Sequence, residues 1–198
     1  MKQKLLNILK STGVLILMLL WPSVIFIIFN VDINNITSKD YVIYYTISSL
    51  TLSIILITIY RKDFFKDLKS YFKNFKKNFE TSFKYWLAGL AVMYISNLFI
   101  TFVLNKQLAG NEETVRNYLV TLPLLMTFDA AICAPINEEL TFRKSFKEIF
   151  PSKWVFVIMS GFIFGLLHVA SYIETFSDII YLIPYSALGI AFALLYYK

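Results

Sequence analysis

Apolar runs of about twenty residues, separated by short polar stretches, recur along the whole chain. The first, Thr12 to Phe29, has about the length that a bilayer's hydrocarbon core requires, and Pro22 falls inside it. It continues past signal-peptide length, and Leu20-Trp21-Pro22 offers no small-residue cleavage site, so it reads as a retained span rather than a leader. Tyr41 to Tyr60 and Tyr85 to Leu104 are each twenty residues long and carry no charged side chain. A fourth segment begins near Tyr118, passes Leu122-Pro123-Leu124-Leu125-Met126 and reaches Ala134-Pro135-Ile136; the fifth is Trp154 to Ala170 and the sixth Ile179 to Tyr197. The pattern predicts an all-α fold, a polytopic transmembrane helical bundle of about six spans.

Between the second and third runs, Arg61 to Lys84 breaks the pattern. It holds eight Lys/Arg against three acids, while Phe65, Leu68, Phe72, Phe75 and Phe79 recur at helical spacing. This is the pattern of a basic amphipathic helix lying in the membrane interface. It reads functionally as a contact with anionic lipid or a substrate tail, and more simply as a topogenic cytoplasmic loop. Lys2, Lys4 and Lys10, the 61–84 segment, and Arg143, Lys144, Lys147 and Lys153 then fall on one side, which by the positive-inside rule places the N-terminus in the cytoplasm. The linkers Asn30 to Asp40 and Asn105 to Asn117 lie outside.

Composition agrees. With 58% hydrophobic and only 16% charged residues, a soluble globule of 198 residues could not hide its apolar surface. Residues 1–198 read as a single membrane domain without internal repeats, in which 118–197 are the core helices. The net charge of +6 follows the membrane boundaries and no recognition motif accompanies it, so nucleic acid is not an expected partner. A single cysteine, Cys133, excludes an intrachain disulfide, and the single histidine, His168, leaves no zinc-finger-type cluster.

Candidate chemistry concentrates in Ala134-Pro135-Ile136-Asn137-Glu138-Glu139-Leu140-Thr141-Phe142-Arg143. Charged residues at a helix centre cost about 2.5 to 3.5 kcal/mol each on insertion scales, so two adjacent carboxylates beside an apolar run call for a reason. Glu139 and Arg143 form an i, i+4 pair with the acid N-terminal, the better orientation for a salt bridge. Glu138, rotated about 100° away, does not face that arginine and sits in a desolvated setting suited to a general base. Asp129, nine residues earlier, is expected on the opposite helix face, in a structural polar contact.

The second stretch is Gly161-Phe162-Ile163-Phe164-Gly165-Leu166-Leu167-His168, where Phe164 lies one turn below His168 on the same face and could wall the site that the imidazole enters. Glu138 precedes the turn at Pro151-Ser152-Lys153 by thirteen residues and His168 follows it by fifteen. With regular helices on both sides, each lies roughly 20 Å from the turn, so the two could share one water. That expectation requires the fourth helix to continue to about Phe150 past Pro135.

These residues resemble a known family, the type II CAAX prenyl endopeptidase and bacteriocin-processing family of intramembrane proteases, which includes many bacterial self-immunity proteins. Ala134-Pro135-x-x-Glu138-Glu139-x-x-x-Arg143 and Phe164-x-x-x-His168 match its first and second motifs in order and spacing. The resemblance implies that Glu138 is the general base, that Glu139 and Arg143 organise the site, and that His168 positions or polarises the water. It also leaves open a divalent metal such as zinc, with Glu138, Glu139 and His168 as candidate ligands. The family's third motif, His-x-x-x-Asn or Asp, has no counterpart, because there is no second histidine. Either the chain is a truncated fragment or part of the site is lost. Lys144 also stands where the family often has glycine.

The expected function is therefore an intramembrane endopeptidase hydrolysing a peptide bond with glutamate-activated water, its partners a peptide or membrane-protein substrate and the lipid bilayer. Abundant Lys, Asn and Ile point to a bacterial cell membrane. Two readings compete: a non-catalytic binding or immunity protein on the same helices, and a proton-coupled transporter using Glu138, Glu139 and Asp129 as a relay.

Overall fold

The computed structural model describes residues 2–106 and 109–198; Gln107 and Leu108, within the linker expected at 105–117, lie outside the described residues. The fold is all-α. In chain order the α-helices are α1 (Lys2–Ile28), α2 (Ser38–Ile59), α3 (Arg61–Lys73), α4 (Phe75–Phe102), α5 (Gly110–Thr121), α6 (Pro123–Phe128), α7 (Ala134–Glu138), α8 (Phe146–Ile149), α9 (Lys153–Val169) and α10 (Leu182–Tyr196). Among the described residues five helices are long and apolar enough to cross a membrane: Lys4–Ile28, Ser38–Ile59, Phe75–Phe102, Lys153–Tyr172 and Phe176–Tyr196.

The fourth expected span departs from that set. From Pro123 to Ile149 the chain is a helical rod in which α6, α7 and α8 are joined by two π-helical stretches, Asp129–Cys133 and Glu139–Ser145. Pro135 has no N–H to donate and its ring crowds the carbonyl four residues earlier, yet the rod does not break there. The wider π turn immediately before it takes up the ring. The rod's acids and its two π-helical stretches set it apart from the five long apolar helices.

The basic segment divides differently from the sequence pattern. Helix α3 ends at Lys73, Asn74 leaves helical geometry at φ −125° and ψ 42°, and α4 already begins at Phe75, so the second half of 61–84 is the first part of a long apolar helix. Asn78 Nδ2 donates to the Tyr71 carbonyl at 2.9 Å, tying the two helices across the break.

The chain forms two compact units, one of residues 1–65 and 115–149, the other of 66–114 and 150–198. In the first, α1, α2 and the rod pack around Val14, Leu52, Leu56, Tyr60 and Leu140. Polar pairs fix the register of these helices. Ser11 Oγ donates to the Ser145 carbonyl at 2.9 Å, and Trp21 Nε1 donates to Thr51 Oγ1 at 2.8 Å. Asn137, buried, accepts from Ser53 Oγ at 2.8 Å and donates to the Ser49 carbonyl at 3.0 Å, clamping the rod to α2. Lys144 reaches Asp63 in the first turn of α3 at 2.7 Å. In the turn between α1 and α2, hydrogen bonds from the Asn35 side chain and the Asn34 N–H hold the Asp32 carboxyl below the usual carboxylate range.

In the second unit α10 packs against both α9 and α4. Gly161 and Gly189 face each other so closely that a Cβ on Gly161 would stand 2.4 Å from Ile190 Cγ1 and 2.9 Å from the Ile190 nitrogen. Small residues at such a crossing let two backbones approach, which supplies the van der Waals contact that holds apolar helices together in lipid.

Unfolding in mild detergent reads the stability of three variants. Gly161→Ala should cost about 1 to 3 kcal/mol by overpacking, whereas Gly13→Ala, where a Cβ meets nothing within 4 Å, should gain up to about 1 kcal/mol of helix propensity. Asn137→Ala should cost about 1 kcal/mol through the lost interhelical hydrogen bonds.

Candidate functional site

The first-motif residues all lie on the rod, where α7 passes into its second π-helical stretch. Arg143 has no exposed surface, and its Nε stands 3.4 Å from Glu139 Oε1, so the i, i+4 ion pair expected from the sequence is present. The Glu139 side chain is nearly half exposed while its partner is sealed, so the pair joins the rod's interior to its surface. The charge of Arg143 acts on Glu138 as well as on Glu139. In that respect the arginine serves both carboxylates, where the sequence pattern had assigned it to one.

Glu138 borders a small polar cavity in the first unit. Tyr45, Ser48 and Ser49 of α2 line it together with Asn137 and Glu138, and Met18, Pro22, Leu52 and Ala134 supply its apolar walls. Its volume of about 100 Å3 exceeds the roughly 30 Å3 that one water occupies in the liquid. Several polar groups converge on it, as a held water requires. Glu139 is absent from the lining. Adjacent residues therefore differ in surroundings, one facing the cavity and the other paired at the rod's surface.

Asp129 corrects an expectation. A regular α-helix would put it opposite Glu138, but Ser49 hydrogen-bonds both to Asp129 and to Asn137, and Tyr45 lies within electrostatic reach of both Asp129 and Glu138. The intervening π turn closes its bonds from i to i+5, so each residue advances less around the axis than in an α-helix. Asp129 thereby comes round to the α2 side, where it is buried. Its structural polar contact, expected from burial, is the bond from Ser49.

The second motif lies on α9, in the other unit. His168 Nδ1 is 2.8 Å from the Phe164 carbonyl oxygen. Because a carbonyl only accepts, that bond requires the proton on Nδ1, and Nε2 is then the acceptor nitrogen of the neutral ring. Phe164 is buried and its ring packs on the imidazole with centroids 4.3 Å apart. Its role in the structure is to support the ring from below. Tyr185 of α10 also stacks on His168, at 5.4 Å and 20° between planes, while its hydroxyl accepts from Asn111 Nδ2 at 3.5 Å.

Sequence reasoning passed over Asn137, Ser49 and Tyr185. Ser48-Ser49 and Ser53 in an otherwise apolar run were the available signal for a polar seam, since hydroxyls in such helices act as interhelical bridges. Tyr185 carries no such signal, since one tyrosine in an apolar run does not mark a partner on another helix. Among the described residues there is no group of three or more His, Cys, Asp or Glu side chains that could hold a metal ion.

Neither a curated protein nor a solved structure matches the chain. A family does: residues 120–198 match the model described as Type II CAAX prenyl endopeptidase Rce1-like, a stretch that contains Glu138, Glu139, Arg143, Phe164 and His168. The resemblance carried by the two motifs therefore agrees with the family model, and residues 120–198 are similar to the Type II CAAX prenyl endopeptidase Rce1-like family.

Proposed function

We propose that the protein is an intramembrane endopeptidase in which Glu138 activates water for attack on a peptide bond. The observation that carries this reading is the division between the two adjacent acids: Glu138 borders a polar cavity large enough for water, while Glu139 is tied to a buried arginine. Hydrolysis within a bilayer needs such a pocket, since lipid provides no water to the reacting atoms. Glu138 takes a proton from the water, the oxygen bonds to the scissile carbonyl carbon, and the C–N bond then breaks. The proton passes from Glu138 to the departing amine, so one water is consumed and two chain ends form.

The other residues prepare that step. Arg143 fixes Glu139 and places a positive charge near both carboxylates. His168 carries the second motif. Its Nδ1–H is engaged by the Phe164 carbonyl, so Nε2 is the nitrogen that accepts from water, and the rings of Phe164 and Tyr185 hold the imidazole plane. The substrate is a peptide or membrane protein of a bacterial cell membrane, with the chain's N-terminus on the cytoplasmic side as its lysines indicate.

A second reading is favoured by the single histidine, which leaves the family's third motif without a counterpart in this sequence. On that reading the same helices bind a peptide or a partner protein, as an immunity protein would, without cleaving it.

Reconstituted protein incubated with candidate membrane peptides separates the two. Cleavage should fall by about 10² to 10⁴-fold in Glu138→Gln and by a comparable factor in His168→Ala. Equal cleavage by these variants and the wild type would remove the mechanism. Tight peptide binding with no cleavage by any of the three would instead establish the non-catalytic reading.

A further inference from the structure

An aromatic ladder runs along the outside of the second unit. Phe72, Phe75, Phe79, Phe83 and Trp86 stack in sequence with ring centroids 5.6 to 6.1 Å apart, and every one of them is 42% exposed or more. The ladder passes without a gap from α3 across the break at Asn74 into α4, one of the helices apolar enough to span a membrane. The bond from Asn78 to the Tyr71 carbonyl and the Tyr71–Phe75 ring contact hold the two helices in one arrangement at that break.

Beside the ladder lies a row of cations. Lys62, Lys66, Lys69 and Lys73 recur at intervals of three and four, so they share one flank of α3, and Lys76 and Lys77 continue the positive charge past the bend. No side chain of α3 is buried. From the chain alone, same-sign lysines need do no more than orient a membrane protein. The unbroken aromatic surface adds a second requirement, because soluble topogenic loops have no need of exposed, mutually stacked phenylalanines.

We infer that α3 and the first turns of α4 form a docking surface for an anionic phospholipid leaflet. The rings enter the boundary between headgroups and acyl chains, and the lysines alongside meet lipid phosphates and carboxylates, the combination by which basic amphipathic helices lie on membranes. Continuity with α4 favours lipid over an acidic soluble protein. The upper rungs of the ladder already belong to a helix that meets hydrocarbon, and a soluble partner would leave the ladder half covered. The surface thus makes the seating of α3 depend on the charge of the leaflet, independently of whether the protein cleaves anything.

Site-directed spin labelling of the full-length chain tests this. The single cysteine is removed as Cys133→Ala, and a nitroxide is placed through Phe72→Cys or, as a control in the middle of the apolar part of α4, Ile95→Cys. Each protein is reconstituted in vesicles of phosphatidylcholine alone or of phosphatidylcholine with phosphatidylglycerol, and collision with a water-soluble nickel chelate is measured. At Phe72 the chelate should act several-fold less in the anionic vesicles than in the neutral ones. High salt, or the combined Lys66→Gln, Lys69→Gln and Lys73→Gln substitutions, should abolish the difference, since screening and neutralisation remove the same attraction. The label at Ile95 should be shielded in every vesicle, which shows that the protein is inserted. Equal access at Phe72 in both vesicle types would overturn the inference, and so would a difference that survives high salt.

Discussion

A guanidinium held away from water needs an opposing charge close by, because an uncompensated buried cation costs far more than a helix can spare. Arg143 is in that position, with no exposed surface and Glu139 at 3.4 Å. Much of the first unit is arranged around this requirement. The arginine and its acid occur in a π-helical stretch, the same stretch carries Ser145, which bonds to Ser11 of α1, and one turn earlier Asn137 clamps the rod to α2. A polar seam therefore runs down one side of an otherwise apolar unit. Glu138 opens from that seam onto the cavity.

The seam also explains why a broken-looking helix is stable. Pro135, two π-helical stretches and several ionisable groups within one rod would weaken a free-standing helix. Here the rod is fixed by hydroxyls on neighbouring helices, by its own Asn137 amide bonded to α2, and by close apolar packing around Leu140. Irregular helix geometry is frequent at functional sites, where winding is exchanged for the placement of particular side chains. In the second unit the order is reversed. Backbone contact at Gly161 and Gly189 brings α9 and α10 together, and only at His168 do aromatic and hydrogen-bonding contacts take over.

The long helices were legible in the sequence because an uninterrupted apolar run of about twenty residues has few other solutions. The Glu139–Arg143 pair was legible because i, i+4 spacing brings such side chains together wherever the backbone is helical. The face on which Asp129 lies was not, since hydropathy carries no sign of a π turn and one turn of altered winding moves every residue before it. Nor was the α3–α4 break at Asn74, where the amphipathic pattern of phenylalanines continues on both sides. Asn137 stood in plain view between proline and glutamate, but its importance depends on Ser49 and Ser53, more than eighty residues away in the chain.

The π-helical stretches give the rod a property that no single side chain has. A turn that closes from i to i+5 holds one residue more than an α-turn, so its geometry is a matter of residue count. Removing one residue between Glu139 and Arg143 would let ordinary α-winding take over and bring that acid and arginine to i, i+3 spacing, changing how the two side chains meet. The arginine would then meet its acid in a different geometry, with the chemistry of both side chains intact. In evolutionary terms the segment is open to many substitutions at a given position but closed to deletions, so its history should be recorded in conserved length more faithfully than in conserved letters.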